Sequence, residues 1–368
     1  MNLVRWRDGS LRPIGGWRLR AETAYTGVPR GIIAWEDLSG DRRVAVGTFS
    51  NLYSTSAAGS TTDITPAGFT SGNESAAVNT GFGGGFFGSS YFGTSRPDTG
   101  NFGEATTWAM DNWGEYLVAC SNTDGKIYEW QLDVAANAAV IANAPVNNLS
   151  MMVTGERFLF ALGAGGNPRK VQWSDRENNT LWTAADTNEA GDLELQTAGQ
   201  IMCGLSVRGQ SLILTDQDAH AATYQGPPFV YSFERVGQSC GIASRKAAIS
   251  VDAGAFWMGQ EGFFSYSGGA VQELPCDVAD YVFGDINRSQ ASLIHAVPMA
   301  QHGEVWWFYP SGASNECDRY VSLDYKEGHW TFGEIDRTCG VARGVFKYPL
   351  WVDSLGNLWE QEVGLNYG

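Results

Sequence analysis

Histidine is scarce in this chain: four residues in 368, at His220, His295, His302 and His329. None lies four residues from another or beside a cysteine, which excludes the usual zinc spacings. Six cysteines, Cys120, Cys203, Cys240, Cys276, Cys317 and Cys339, form no C-x-x-C pair. So long a chain does not need disulfide stapling. The thiols read as buried residues of a protein assembled in a reducing cytoplasm, while their even count leaves disulfides open. Charge is also sparse, at 17% of residues, and basic residues are outnumbered 24 to 40, for a formal net charge of -16. That balance argues against adhesive nucleic-acid binding, which needs clustered Lys and Arg. It does not exclude a conduit along which DNA slides, because a like-charged wall opposes sticking. The plainer reading of the charge is solubility.

No run approaches the roughly 20 apolar residues of a membrane span. The opening Met1-Asn2-Leu3-Val4-Arg5-Trp6-Arg7 has no apolar signal region. No G-x-S-x-G and no P-loop lysine occur. Gly83-Gly84-Gly85 matches a phosphate loop in glycine content alone, with no strand–turn–helix context. No catalytic residue, metal or cofactor is expected from these patterns.

What the chain has in quantity is glycine and aromatics: 46 Gly, 14 Trp, 14 Tyr and 18 Phe, within a hydrophobic fraction of 43%. This supports a packed core rather than disorder, and strands with tight turns rather than helical bundles. An apolar strand, a polar turn and an aromatic-rich second strand recur. Tyr116-Leu117-Val118-Ala119-Cys120 is followed by Asp124-Gly125 and Ile127-Tyr128-Glu129-Trp130. Leu350-Trp351-Val352 is followed by Gly356-Asn357 and Leu358-Trp359. Such hairpins start at Val44, Tyr116, Phe158, Leu212, Phe256, Val305 and Leu350. All spacings but the first fall near the roughly 40–50 residues of a four-stranded propeller blade. A lone hairpin cannot bury its apolar face, whereas a ring of them can. The expected fold is therefore all-β: one β-propeller body over residues 1–368, of about six or seven blades. Aromatics at similar places in successive hairpins are expected to wedge between neighbouring blades. Helix signal is weak. Residues 133–144 suit a short helix or a linking strand, and 277–283 a short helix capped by Asp277.

The long first spacing has its source in residues 68–104, read as a loop inserted within or after the first blade. Glycine alternates with aromatics there, and no charge appears from Asn79 through Ser95. Its backbone entropy is too high for a packed domain of its own. One reading is a mobile surface loop. The other is a loop that orders against another subunit, with Phe82, Phe86, Phe87, Tyr91 and Phe92 as its gate or subunit contacts.

Carboxylates are many and dispersed. Asp216 and Asp218 fall in a hairpin turn, where aspartate bonds its own backbone. The turns at Asn122-Thr123-Asp124-Gly125 and Asp353-Ser354-Leu355-Gly356-Asn357-Leu358-Trp359 miss the spacing S-x-D-x-G-x-x-W of sialidase-like propellers. They read as structural, with Asp and Gly shaping the bend and Trp filling the core. The turn Gly259-Gln260-Glu261-Gly262 offers a single acid.

Several segments share the wording of one family. They are Ala45-Val46-Gly47-Thr48-Phe49-Ser50-Asn51-Leu52-Tyr53, Thr62-Asp63-Ile64-Thr65-Pro66, Thr107-Trp108-Ala109-Met110-Asp111-Asn112-Trp113-Gly114-Glu115 and Tyr224-Gln225-Gly226-Pro227-Pro228-Phe229. Cys240-Gly241-Ile242-Ala243-Ser244, Glu304-Val305-Trp306-Trp307-Phe308-Tyr309-Pro310 and Tyr325-Lys326-Glu327-Gly328-His329-Trp330 continue it. Their order resembles the tail hub or nozzle proteins of short-tailed phages, the packaged-DNA stabilisation or tail tubular family. The resemblance implies a non-enzymatic, structural virion protein, assembled in the host cytoplasm. It implies a homohexameric propeller ring at the tail's distal end. The ring would meet a tail adaptor or portal-proximal protein and support tail fibres or a needle. Double-stranded DNA would be held behind it and ejected through its lumen without sequence-specific binding. The chain is shorter than larger family members and stops soon after Trp359-Glu360. A blade edge is thus left open, or is closed by the N-terminus or a neighbour. Two other classes stay in view on fold alone: a propeller glycosidase acting on host-surface glycan, and a propeller protein-interaction scaffold.

Overall fold

The computed structural model describes residues 2–21, 25–76 and 103–366. Seven four-stranded antiparallel sheets form the seven blades of a β-propeller. Blade 1 covers 29–63, blade 2 108–140, blade 3 150–194, blade 4 201–238, blade 5 248–274 and blade 6 295–334. Blade 7 takes three strands from 339–361 and its outermost strand, Trp17–Ala21, from the beginning of the chain. The first strand of each blade is innermost. Each inner strand packs against the inner strands of the blades before and after it, the seventh against the first, so the ring is closed.

Every expected hairpin start falls in or beside the second strand of a blade. Val305–Tyr309 pairs with Tyr320 and its neighbours through Tyr309↔Arg319 to Glu304↔Asp324. Phe160↔Trp173 and Phe256↔Ser265 fix two further pairs. These strands read clearly because both of their faces are covered by neighbouring blades. The core lies between blades, as the repeated aromatics imply. Trp306, Phe308 and Tyr320 of blade 6 meet Trp351 of blade 7, and Phe158, Phe160 and Trp173 of blade 3 meet Tyr231 of blade 4. Indole N–H groups also tie blades together. Trp108 Nε1 donates to the Thr48 carbonyl at 2.8 Å, and Trp307 Nε1 to the Ala247 carbonyl at 2.9 Å.

The N-terminus closes the ring. Trp17↔Gln361 and Leu19↔Trp359 complete blade 7, so its edge is filled from within the chain. A hairpin of Val4–Arg7 and Ser10–Pro13 precedes that strand and packs beside the outer strand of blade 6. Two expectations need correction. The short helix is Ala279–Asp285, and its N-cap position is Val278, with no side-chain capping bond, so Asp277 is not the cap. Within 133–144 the linking-strand reading holds: Ala139–Val140 is the outer strand of blade 2. All six cysteines are free thiols, and Cys276 alone among them is only half-buried.

Because each blade is an antiparallel meander, its turns alternate between the two ends of the propeller. One end carries the blade-to-blade connectors and the turns between second and third strands. The other carries the remaining turns and the N-terminal hairpin.

Candidate functional site

The connector from blade 1 to blade 2 runs from residue 64 to 107 and contains the whole of the expected insertion. Phe82, Phe86, Phe87, Tyr91 and Phe92 lie outside the described residues. The two roots of the insertion are described, and they are bound to each other. Thr106 N–H donates to the Asn73 carbonyl at 2.9 Å, and Asn73 Nδ2 to the Glu104 carbonyl at 3.3 Å. Chain therefore leaves and re-enters the body at one place.

That place is the mouth of the central channel. The roots reach the connector between blades 5 and 6 on the far side of the ring. Buried Gln290 accepts from Ala76 N–H at 2.9 Å and donates to the Ala76 carbonyl at 3.1 Å. Ala105 N–H donates to Ser292 Oγ at 3.4 Å. Two buried arginines complete the plug. Arg245 pairs with Glu104 at 3.1 Å and donates to the Ile201 carbonyl at 3.2 Å. Arg30 donates to Glu316 at 2.9 Å and to the Glu74 carbonyl at 2.9 Å. Backbone of the insertion roots thus finds its partners in side chains from blades 1, 5 and 6, as buried polar groups require.

Beneath the plug the inner strands enclose a cavity of about 330 Å³. Its wall is a little over half apolar, with Ile32, Met110, Met151 and Leu205 from four blades. Its charged side chains are Asp111, Arg245 and Lys246. Lys246 interacts electrostatically with Asp111 of blade 2, Cys203 of blade 4, His295 of blade 6 and Cys339 of blade 7. The cavity that Lys246 lines draws residues from all seven blades, which places it on the channel axis. Burial pushes the Lys246 ammonium down from its ordinary value, against weaker upward pulls from Cys203, Cys339 and Asp111. Burial pushes the Asp111 carboxyl up, although it accepts from Val153 N–H at 3.0 Å and Asn112 N–H at 2.8 Å. His295 stacks on Phe308 with ring centroids 4.9 Å apart, and burial lowers it to about 3, so it is neutral near pH 7.

The other sequence candidates are structural. Asp353 accepts from Leu355 N–H at 3.0 Å, Asn357 N–H at 2.8 Å and Trp359 Nε1 at 2.7 Å. Asp124 accepts from Lys126 N–H at 3.3 Å and from the Tyr128 hydroxyl. Asp216 accepts from Gln200 N–H at 2.9 Å, and Asp218 from Thr215 Oγ1 at 2.6 Å and Thr197 Oγ1 at 2.8 Å. Asp353 and Asp124 shape their own turns, as the spacing indicates, whereas Asp216 and Asp218 also tie their turn to Gln200 and Thr197 in the connector between blades 3 and 4. Glu261 is exposed. Among the described residues no group of three His, Cys, Asp or Glu side chains could hold a metal ion.

Arg30, Arg245, Lys246 and Gln290 were not among the sequence candidates. A signal for two of them exists: Arg245-Lys246 is a charged pair between Ile242-Ala243-Ser244 and Ala247-Ala248-Ile249 in a chain poor in charge. Its meaning depends on which strand of a blade is innermost, which the local sequence does not state.

No protein-family model matches the chain, and no curated protein matches it in sequence. Its fold is similar to that of selenomethionine-substituted virginiamycin B lyase from Staphylococcus aureus, with a TM-score of 0.56 and 8% identity over 94% of this chain and 99% of that one. It is similar to a streptogramin B lyase, with a TM-score of 0.55 and 8% identity over 94% and 96% of the two chains. A catalytically inactive form of the Staphylococcus aureus lyase with quinupristin gives a TM-score of 0.53 and 9% identity over 94% and 99%. Identity this low establishes a shared propeller fold and carries no chemistry across.

Proposed function

We propose that this chain is a structural protein of a phage tail: the hub or nozzle subunit that retains packaged double-stranded DNA and forms the channel for its ejection. The observation that carries the reading is the mounting of the insertion. Residues 77–102 leave from and return to a plug stapled across one end of a closed seven-bladed body. Such a mount can transmit force to a loop without deforming, which a gate or a subunit clamp needs. Phe82, Phe86, Phe87, Tyr91 and Phe92 are the proposed gate or contact residues.

Within this reading, DNA would pass outside the propeller body. The propeller's own axis holds a cavity of about 330 Å³, closed on one side by Arg30, Arg245 and Gln290. That is the size of a small-ligand pocket and leaves no room for a duplex. The conduit is therefore the space enclosed by a ring of copies, six by the symmetry the resemblance implies. A charge of -16 per copy suits a wall that must not grip phosphates. The tail adaptor or portal-proximal protein and the tail fibres or needle would occupy the two axial sides of that ring. The glycosidase alternative asks for a pair of carboxylates across a sugar, whereas the cavity wall carries one, Asp111.

Cryo-electron microscopy of assembled tails tests the proposal. The expected map shows a ring of propellers around the tail axis, with residues 77–102 directed to that axis or to a neighbouring copy. Density for this chain away from the tail, or its absence from purified virions, would overturn the reading.

A further inference from the structure

We propose that the central cavity is a binding site for a small monocarboxylate with a short aliphatic tail, held by Lys246. Three observations converge on it. Lys246 is a cation on the propeller axis, yet among the described residues it forms no ion pair, while its neighbour Arg245 is satisfied by Glu104 and the Ile201 carbonyl. The nearest acid acting on it, Asp111, already accepts two backbone N–H groups, from Val153 and Asn112. The space before the ammonium, about 330 Å³, has a wall a little over half apolar, built from several blades.

Each observation selects a property of the ligand. Half-buried Lys246 lines this pocket and has no ion pair among the described residues, so an entering carboxylate supplies its ammonium with a charge-assisted hydrogen bond. Asp111 contributes a second charge of the opposite sign to the same wall, so a dianion such as phosphate is disfavoured against a single carboxylate. The apolar part of the lining rewards a few methylenes behind the carboxylate. The site depends on the propeller body alone, so it is independent of the tail reading above.

Isothermal titration with sodium hexanoate at fixed ionic strength and pH 7.5 is the test, with hexanol and inorganic phosphate as the comparison titrants. Saturable one-to-one binding of hexanoate, at least tenfold tighter than either comparison, is the expected result. Lys246→Met should abolish it. Asp111→Asn should tighten hexanoate binding several-fold, which keeps the test decisive if the lysine variant does not fold. No saturable binding, equal binding of hexanol, preference for phosphate, or unchanged affinity in Lys246→Met would each overturn the proposal.

Discussion

Arg5 is a buried cation between two acids: its Nε lies 2.8 Å from Glu304 and its Nη2 2.6 Å from Glu362. Glu362 also accepts from Gly15 N–H at 3.0 Å, and a side chain at Gly15 would collide with the Glu362 backbone. Burial by itself would raise the Glu362 carboxyl, but His302 and Arg5 overcome it and bring the group from its ordinary 4.5 down to about 2. A folded-state value below the unfolded one gives stability that is complete above about pH 4.5 and is lost as pH falls toward 2. The size of the shift corresponds to about 3 kcal/mol. Urea midpoints of wild type and Glu362→Gln should therefore differ most at pH 6 and converge near pH 2. Parallel curves over that range would refute the assignment. This network was not legible in the sequence, because Arg5 stands 299 positions from Glu304 and 357 from Glu362. The Asp353 turn was legible, because the partners of its carboxylate lie within six residues.

At the scale of elements, what could be read was set by burial. The second and third strands of each blade carry large apolar side chains on both faces, as in Glu304–Tyr309, where every residue is buried. Three outermost strands are short and largely solvent-facing: Thr61–Asp63, Ala139–Val140 and Gln272–Leu274 have no fully buried residue and no periodic signal. The closing strand, Trp17–Ala21, was foreseen only as one of three options, since its partner Leu358–Gln361 lies at the opposite end of the chain. Its role predicts a length-dependent truncation series. Removing residues 1–13 deletes the N-terminal hairpin and Arg5 but spares blade 7, so the product should fold with a lowered melting temperature. Removing residues 1–21 leaves blade 7 with three strands and an open edge, a template for association. That product should elute as aggregates in size-exclusion chromatography, and a peptide spanning residues 14–26 added during refolding should restore a monodisperse species. Equal behaviour of the two truncations would mean that strand closure contributes little.

At the scale of the whole molecule, the body and the insertion are separable by construction. The Thr106 N–H on the Asn73 carbonyl and the Asn73 side-chain amide on the Glu104 carbonyl join the two roots, and Gln290, Arg30 and Arg245 clamp them to the ring. A deletion that begins at residue 72 would cut into this plug, since a side chain at Gly72 already meets Thr106 and Thr123 and Ala76 is buried. The informative deletion therefore spans residues 78–101, replaced by a short Gly-Ser linker. Shortening a loop whose ends are already held together alters closure entropy only slightly. The melting temperature should stay within about 2 °C of wild type, given that 1 kcal/mol shifts a domain larger than 150–250 residues by less than about 2–4 °C. In virions carrying the deletion, the reading offered above expects one of two defects. Rings that form but release DNA would identify the loop as a gate. Rings that fail to form from folded subunits would identify it as the contact between copies. Wild-type assembly and DNA retention with the loop removed would take function away from Phe82, Phe86, Phe87, Tyr91 and Phe92. The search would then move to the propeller body.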